Sequence, residues 1–154
     1  MILVRFNTQQ GDQIIMNTLE KGAELTGRTL LASMFLVAGL GKVAGFAGTQ
    51  AYMQSMGVPG ALLPLVIALE VLGAVAIIVG YRTRLVAFVL AGFTLVAAVI
   101  FHSGADQTQQ IMFLKNISIA GGFLLLVARG AGAWSLDARP ANRAERGALV
   151  RAGV

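Results

Sequence analysis

Residues 58–84 read VPGALLPLVIALEVLGAVAIIVGYRTR, and Glu70 is the single ionisable side chain between Val58 and Gly80. A helix of about 20 apolar residues crosses the hydrocarbon core of a bilayer, which is roughly 30 Å thick. The whole chain has the same character, because 56% of its 154 residues are hydrophobic and only 12% are charged. Charged residues make up about 25% of a typical soluble domain. The sequence therefore predicts an integral membrane protein with a carboxylate inside one of its spans.

Four apolar segments predict an all-α fold, an integral membrane four-helix bundle with four spans. The segments cover residues 25–46, 59–80, 85–101 and 111–128. The first segment contains Arg28 and Lys42, and the uncharged run between them is too short to cross a bilayer. We therefore expect one of these two side chains to enter the edge of the membrane.

Three parts of the chain are predicted from the positions of these spans. Residues 1–24 are interrupted by charges and predict either a short amphipathic helix on the membrane surface or a solvated arm. Residues 25–137 form the predicted transmembrane domain. Residues 138–154 form a predicted basic tail.

The lysines and arginines divide unequally between the two ends of the predicted spans. Lys42 and Lys115 belong to one end. The other ten belong to the opposite end: Arg5, Lys21, Arg28, Arg82, Arg84, Arg129, Arg139, Arg143, Arg146 and Arg151. The positive-inside rule then predicts that both termini are cytoplasmic, with Trp134 as an aromatic anchor at the interface. Membrane topology thus accounts for the basic residues and for the formal net charge of +5. The expected partner is therefore the lipid bilayer, and no nucleic acid is expected to bind.

Five polar side chains fall in the outer half of the predicted bundle: Lys42, Glu70, His102, Lys115 and Asn116. Unpaired charges in lipid are costly, so we expect these side chains to face the interior and to find one another. A lysine side chain reaches about one helical turn along the axis, which brings both lysines within reach of the glutamate. We predict a lysine nitrogen within about 4 Å of the Glu70 carboxylate. Two interpretations of the cluster stay open, a functional site and an ion pair that only fixes helix register.

Three stretches of the sequence carry a family resemblance. They are RTLLASMFLVAGLGK at 28–42, ALEVLGAVAIIVGYRTR at 68–84 and FLKNISIAGGFLLLVARGAGAWSLD at 113–137. Together with the G-x-x-K ending of the first stretch, they resemble the DoxX family of small four-helix bacterial membrane proteins. The resemblance implies a protein of the bacterial plasma (inner) membrane. It also implies a link to redox chemistry, since relatives are associated with thiosulfate:quinone oxidoreduction or with membrane complexes that handle thiol and superoxide stress.

The residue types limit which redox role the chain can perform. The sequence has no cysteine and one histidine, so it can neither exchange thiols nor ligate a haem through two histidines. No metal site is predicted. The electron carrier would then be a diffusible ligand, most simply a membrane quinone, or would belong to a soluble or membrane partner.

The same five polar side chains form the predicted cofactor site. The two lysines, the histidine and the asparagine supply donors for quinone oxygens, and the Glu70 carboxylate accepts or relays a proton. Tyr52 and Phe46 follow the first span, and we expect them to close the cleft.

Three functions stay open on the sequence alone. The first is a quinone- or lipid-binding subunit that supports oxidoreduction with a partner, and the family resemblance favours it. The second is a small proton-coupled transporter or channel in which Glu70 titrates; no inverted repeat is visible, so a homo-oligomer would have to supply the second half. The third is a scaffold whose polar cluster only holds the bundle together. No residue pattern establishes an enzyme.

Overall fold

The structure, a computed structural model, describes residues 2–139, with side chains described from residue 15 onward. Within this range all regular secondary structure is helical, which confirms the predicted all-α class. The helices are α1 (Ile2–Ala44), α2 (Phe46–Ser55), α3 (Leu63–Val79), α4 (Thr83–Phe101) and α5 (Gln107–Arg129), with a 3-10 turn at Gly60–Leu62 before α3.

Four helical stretches are long and apolar enough to cross a membrane, as predicted. They are Ile15–Ala44, Gly60–Val79, Thr83–Phe101 and Gln107–Arg129. α1 runs without a break from Ile2, so the residues predicted as a surface helix or a solvated arm continue the helix of the first span. Residues 140–154, which include most of the predicted basic tail, lie outside the described residues.

The helices associate as two pairs, α1 with α3 and α4 with α5, and contacts between the pairs are fewer. Where the pairs meet, buried apolar side chains form one core: Ala32, Phe35, Ala74, Ile77, Ala87, Leu90, Ala91, Ala120 and Phe123. The rings of Phe35 and Phe123 meet edge-on with centroids 5.2 Å apart. All of these residues lie in the half of the bundle that contains Arg28. We call this half the Arg28 end and the opposite half the Lys42 end.

Arg28 is buried, with 3% of its surface exposed, and it joins three parts of the chain. Its Nε donates to the Ile78 carbonyl oxygen at 3.3 Å, and Nη1 and Nη2 donate to the carbonyl oxygens of Ala131 and Trp134. The segment after α5 therefore folds back over the Arg28 end. Topology alone did not predict this role for Arg28, which fastens the end of the last span to the first two.

Asp137, in the segment that folds back, caps the start of α4. Its Oδ1 accepts a hydrogen bond from the Arg82 backbone N–H at 2.8 Å, and its Oδ2 accepts one from Thr83 at 2.9 Å. These bonds satisfy N–H groups that a helix start leaves without partners. Partial burial raises the pKa of Asp137, but the two N–H groups and the nearby Arg28 charge outweigh it and hold that pKa below its usual value.

Candidate functional site

Lys42 near the end of α1 and Glu70 within α3 form an ion pair. Lys42 Nζ donates to both carboxylate oxygens, at 2.9 Å to Oε1 and 2.8 Å to Oε2. Glu70 is only 4% exposed, and the Lys42 side chain is 27% exposed. The predicted lysine nitrogen within 4 Å of Glu70 is therefore confirmed. Because both oxygens are bonded, the pair offsets part of the free-energy cost of burying the carboxylate.

Gly39 brings α1 close enough to α3 for this pair to form. A Cβ atom at Gly39 would lie 2.7 Å from Val71 Cγ2 and 3.2 Å from Glu70 Cβ, so a larger side chain would push the helices apart. Residues three apart share a helix face, which places Lys42 one turn beyond the point of closest approach. The G-x-x-K spacing thus has a geometric reason.

The Lys42 end of the bundle contains a cavity of about 490 Å³. The five side chains predicted to converge all line it: Lys42, Glu70, His102, Lys115 and Asn116. Most of the remaining wall is apolar: Met34, Phe35, Ala38, Met53, Val58, Leu62, Val66, Phe93, Val96, Ala97, Ile100, Phe101 and Ile119. Small-molecule sites in proteins have volumes of roughly 300–1,000 Å³ and are lined in this way.

The polar groups of the cavity lie on two walls. The α1–α3 wall carries the ion pair, and the α4–α5 wall carries His102, Lys115 and Asn116. Nδ1 of His102 lies 2.9 Å from Oε1 of Gln109, which fixes the orientation of the ring. The Asn116 side-chain amide has no hydrogen-bond partner within the described part of the chain. This second wall therefore holds hydrogen-bonding capacity that the described residues do not use.

Lys115 does not join the ion pair, contrary to the expectation that it also contacts Glu70. Its Nζ lies 3.1 Å from the sulfur of Met112, one turn earlier in α5. The physical reason is the pairing of the helices, because α5 packs along α4 and approaches α1 mainly at the Arg28 end, where Gly122 faces Leu31. Lys115 consequently belongs to the opposite wall of the cavity.

The two aromatic residues predicted to close the cleft take different positions. Tyr52 of α2 lines the cavity and stacks on Phe101 with centroids 5.6 Å apart. Phe46 does not line the cavity, and its side chain is 39% exposed. Six residues at 100° each separate the two positions on α2, so they point in different directions, and the expectation for Phe46 was wrong.

Two threonines of the cavity wall were missed by sequence reasoning. Thr49 and Thr94 both line the cavity. Thr94 Oγ1 donates to the Leu90 carbonyl oxygen at 2.7 Å, and Thr49 Oγ1 donates to that of Gly45 at 3.0 Å. Each hydroxyl proton is thus used within its own helix, while the oxygen can still accept. A threonine inside the apolar run of α4 was the available signal.

The cavity as a whole offers donors on two walls, one carboxylate and an apolar interior. Such a site can hold a mostly apolar molecule that carries a few oxygen acceptors. In the described part of the chain, no group of three or more His, Cys, Asp or Glu side chains is placed to hold a metal ion.

Comparison with known proteins gives a family and several relatives. A family model described as DoxX matches residues 23–103. The chain is 51% identical to inner membrane protein YqjF of Escherichia coli (strain K12) over 123 residues, which cover 79% of this chain and 95% of the relative. Inner membrane protein YphA of the same organism is 42% identical, over 75% of this chain and 88% of the relative. Putative oxidoreductase CatD of Bacillus subtilis (strain 168) is 36% identical, over 60% of this chain and 73% of the relative. No solved structure matches significantly.

Proposed function

The chain belongs to the DoxX family and is a multi-pass inner-membrane protein, and from that premise we propose that its cavity binds a membrane quinone. In this proposal the protein is a membrane subunit that presents the quinone to a redox partner. The observation that carries the proposal is the convergence of polar side chains from four helices on one apolar-walled cavity of about 490 Å³.

The two polar walls suit the two ends of a quinone ring. Quinone carbonyl oxygens accept hydrogen bonds, and the α4–α5 wall offers Asn116 and Lys115 as donors, while Lys42 is a donor on the facing wall. Glu70 is bonded to Lys42 and is the group we propose to take up or release a proton when the bound quinone changes redox state. The apolar side chains between the walls would hold the ring and the first part of its tail.

A partner is part of the proposal because the chain has no cysteine and a single histidine. These residues supply no thiol couple and no pair of axial haem ligands. The relative described as a putative oxidoreductase, CatD, supports a redox assignment for the family fold. If both termini are cytoplasmic, as the lysine and arginine distribution predicts, the cavity lies in the outer half of the membrane, and the partner would approach from that side.

The experiment is a quinone assay on the lipid extract of the purified protein. We expect about one quinone per chain in the wild type and a large loss in Asn116→Leu, which removes an amide of the wall but leaves the Lys42–Glu70 pair intact. Glu70→Gln should also lose quinone. Glu20→Gln is the matched control, because Glu20 is an exposed carboxylate outside the cavity. Absence of quinone from all four proteins would overturn the proposal.

A scaffold function is the alternative that one observation favours, namely the bidentate ion pair that joins α1 to α3. It predicts that Glu70→Ala lowers the melting temperature and that no ligand co-purifies. Proton transport through Glu70 has less support, because Phe35 at the cavity wall packs against Phe123 in the core that fills the Arg28 end. It predicts pH-dependent proton flux in proteoliposomes that Glu70→Gln abolishes.

A further inference from the structure

A second hollow lies at the opposite end of the bundle from the cavity. It is a groove of about 610 Å³ between the start of α4 and the end of α5, and its wall includes Arg82, Arg84 and Arg129. The backbone at Gly130 forms another part of the wall. None of the quinone-site side chains reaches this groove, so it is a separate feature of the molecule.

The positive charge of the groove is not neutralised by ion pairs among the residues that the structure describes. No ion pair in the described part of the chain involves any of the three arginines. Asp137 is the acidic residue in the wall, but both of its oxygens accept backbone hydrogen bonds at the start of α4. Its remaining electrostatic partner is the buried Arg28. The groove wall therefore presents three guanidinium groups and one carboxylate that is already engaged, and the Glu24 carboxylate beside Gly132 forms no ion pair with any of the three.

The glycine at the end of α5 lies beside one of the three arginines. Gly130 has a φ of +84°, and a Cβ atom there would lie 3.5 Å from Nε of Arg84. The exposed Arg84 side chain thus passes beside the backbone of Gly130 at ordinary contact distance. The guanidinium group of an arginine is a planar fork of donors, which matches the geometry of a phosphate group.

The groove also lies at the level where lipid head groups are expected. Its arginines stand at the limits of two candidate spans, which begin at Thr83 and end at Arg129. The next turn of α4 is apolar and exposed, with Leu85 at 57% and Phe88 at 62%. A molecule that placed an anionic group in the groove could lay an acyl chain along these side chains. Basic pockets between membrane helices recognise anionic lipid head groups in this way.

We propose that the groove formed by Arg82, Arg84 and Arg129 binds the phosphate of an anionic phospholipid. The arginines also satisfy the positive-inside rule, but topology requires only charge on that side of the membrane. It requires neither a formed groove nor the placement of Arg84 against Gly130.

The test compares lipid binding by native mass spectrometry for the full chain in detergent, with phosphatidylglycerol and phosphatidylcholine as probes. The variant is Arg84→Gln/Arg129→Gln. The control is Arg139→Gln, which removes an exposed arginine at the same end but outside the groove. We expect the wild type and the control to prefer phosphatidylglycerol and the double variant to bind it roughly 30-fold more weakly, from the usual contribution of a basic residue near an anionic surface.

Three outcomes would overturn the proposal. In the first, the wild type binds phosphatidylglycerol and phosphatidylcholine with equal affinity. In the second, the control and the double variant lose the same affinity for phosphatidylglycerol. In the third, soluble glycerol phosphate displaces phosphatidylglycerol when it is present at the same concentration. If the double variant melts below the wild type in phosphatidylcholine, the single variants replace it, and each is then expected to weaken binding about fivefold.

Discussion

Lys42 and Glu70 each depend on the other to remain charged in this part of the bundle. Replacing only Lys42 with Met would leave a carboxylate that is 4% exposed without its bidentate partner. Breaking a buried pair from one side typically lowers the free energy of unfolding by about 3–5 kcal/mol. We therefore expect Lys42→Met to unfold at markedly lower denaturant concentration, and Lys42→Met/Glu70→Met to recover most of the loss. A double-mutant cycle of denaturant unfolding in one detergent checks this, and simple addition of the two single losses would contradict it.

Asp137 gives the Arg28 end a stability that depends on pH. Its pKa is lowered because backbone N–H donors and the Arg28 charge outweigh the effect of partial burial. A group whose pKa is lower in the folded state stabilises the fold above its unfolded pKa of about 3.9, and this stabilisation is lost as the pH falls through the folded value. Asp137→Asn should therefore lower the free energy of unfolding by about 1 kcal/mol at pH 7, because the amide has one acceptor oxygen for the two N–H groups and no charge to attract Arg28. The difference from the wild type should shrink at pH 3, and an equal difference at both pH values would contradict this assignment.

α1 offers a matched pair of glycines with which to test how it approaches α3. An alanine at Gly39 would place its Cβ 2.7 Å from Val71 Cγ2, whereas an alanine at Gly41 would meet nothing within 4 Å. We expect Gly39→Ala to lower the free energy of unfolding by about 1–3 kcal/mol through overpacking. Gly41→Ala should be neutral or slightly stabilising, since alanine favours helix. Melting temperatures of the two variants decide the point, and equal behaviour would mean that the close approach at Gly39 is not needed.

The elements differ in how far their sequence predicts them. Hydropathy found the four spans because each carries its own apolar run, and the depths of Lys42 and Glu70 in their spans, with the reach of a lysine side chain, were enough to predict the ion pair. Hydropathy did not find the link from Arg28 to Ala131 and Trp134, because those partners are backbone carbonyls far along the chain. The position of Lys115 was also missed, since it depends on which helices pair side by side. Local sequence patterns predict which residues are buried, but they do not predict which helix packs against those residues.

The molecule as a whole is packed at one end and hollow at the other. Its core cluster fills the Arg28 end, while the Lys42 end contains the cavity. Filling the hollow should therefore separate ligand binding from stability. Ala38 lines the cavity, and we expect Ala38→Leu to reduce co-purified quinone at least severalfold without lowering the melting temperature, because added methyl groups occupy empty space.

Val37→Leu supplies the control for that change. Val37 is adjacent in sequence and 71% exposed. The substitution adds a methylene group to the outer surface of α1, so it should alter neither the amount of co-purified quinone nor the melting temperature. Loss of quinone in both variants would indicate a general effect of larger side chains on α1 rather than occupation of the cavity.

The segment that folds back over the Arg28 end also sets an order of events during synthesis. The ribosome makes Arg28 early, and the carbonyl groups that receive its guanidinium follow 103 and 106 residues later. Until they emerge, the first span carries a cation without those acceptors at its end. The bundle can therefore close at this end only after the last span has left the ribosome. A nascent chain halted before Ala131 would hold its first helix less firmly than the finished protein does.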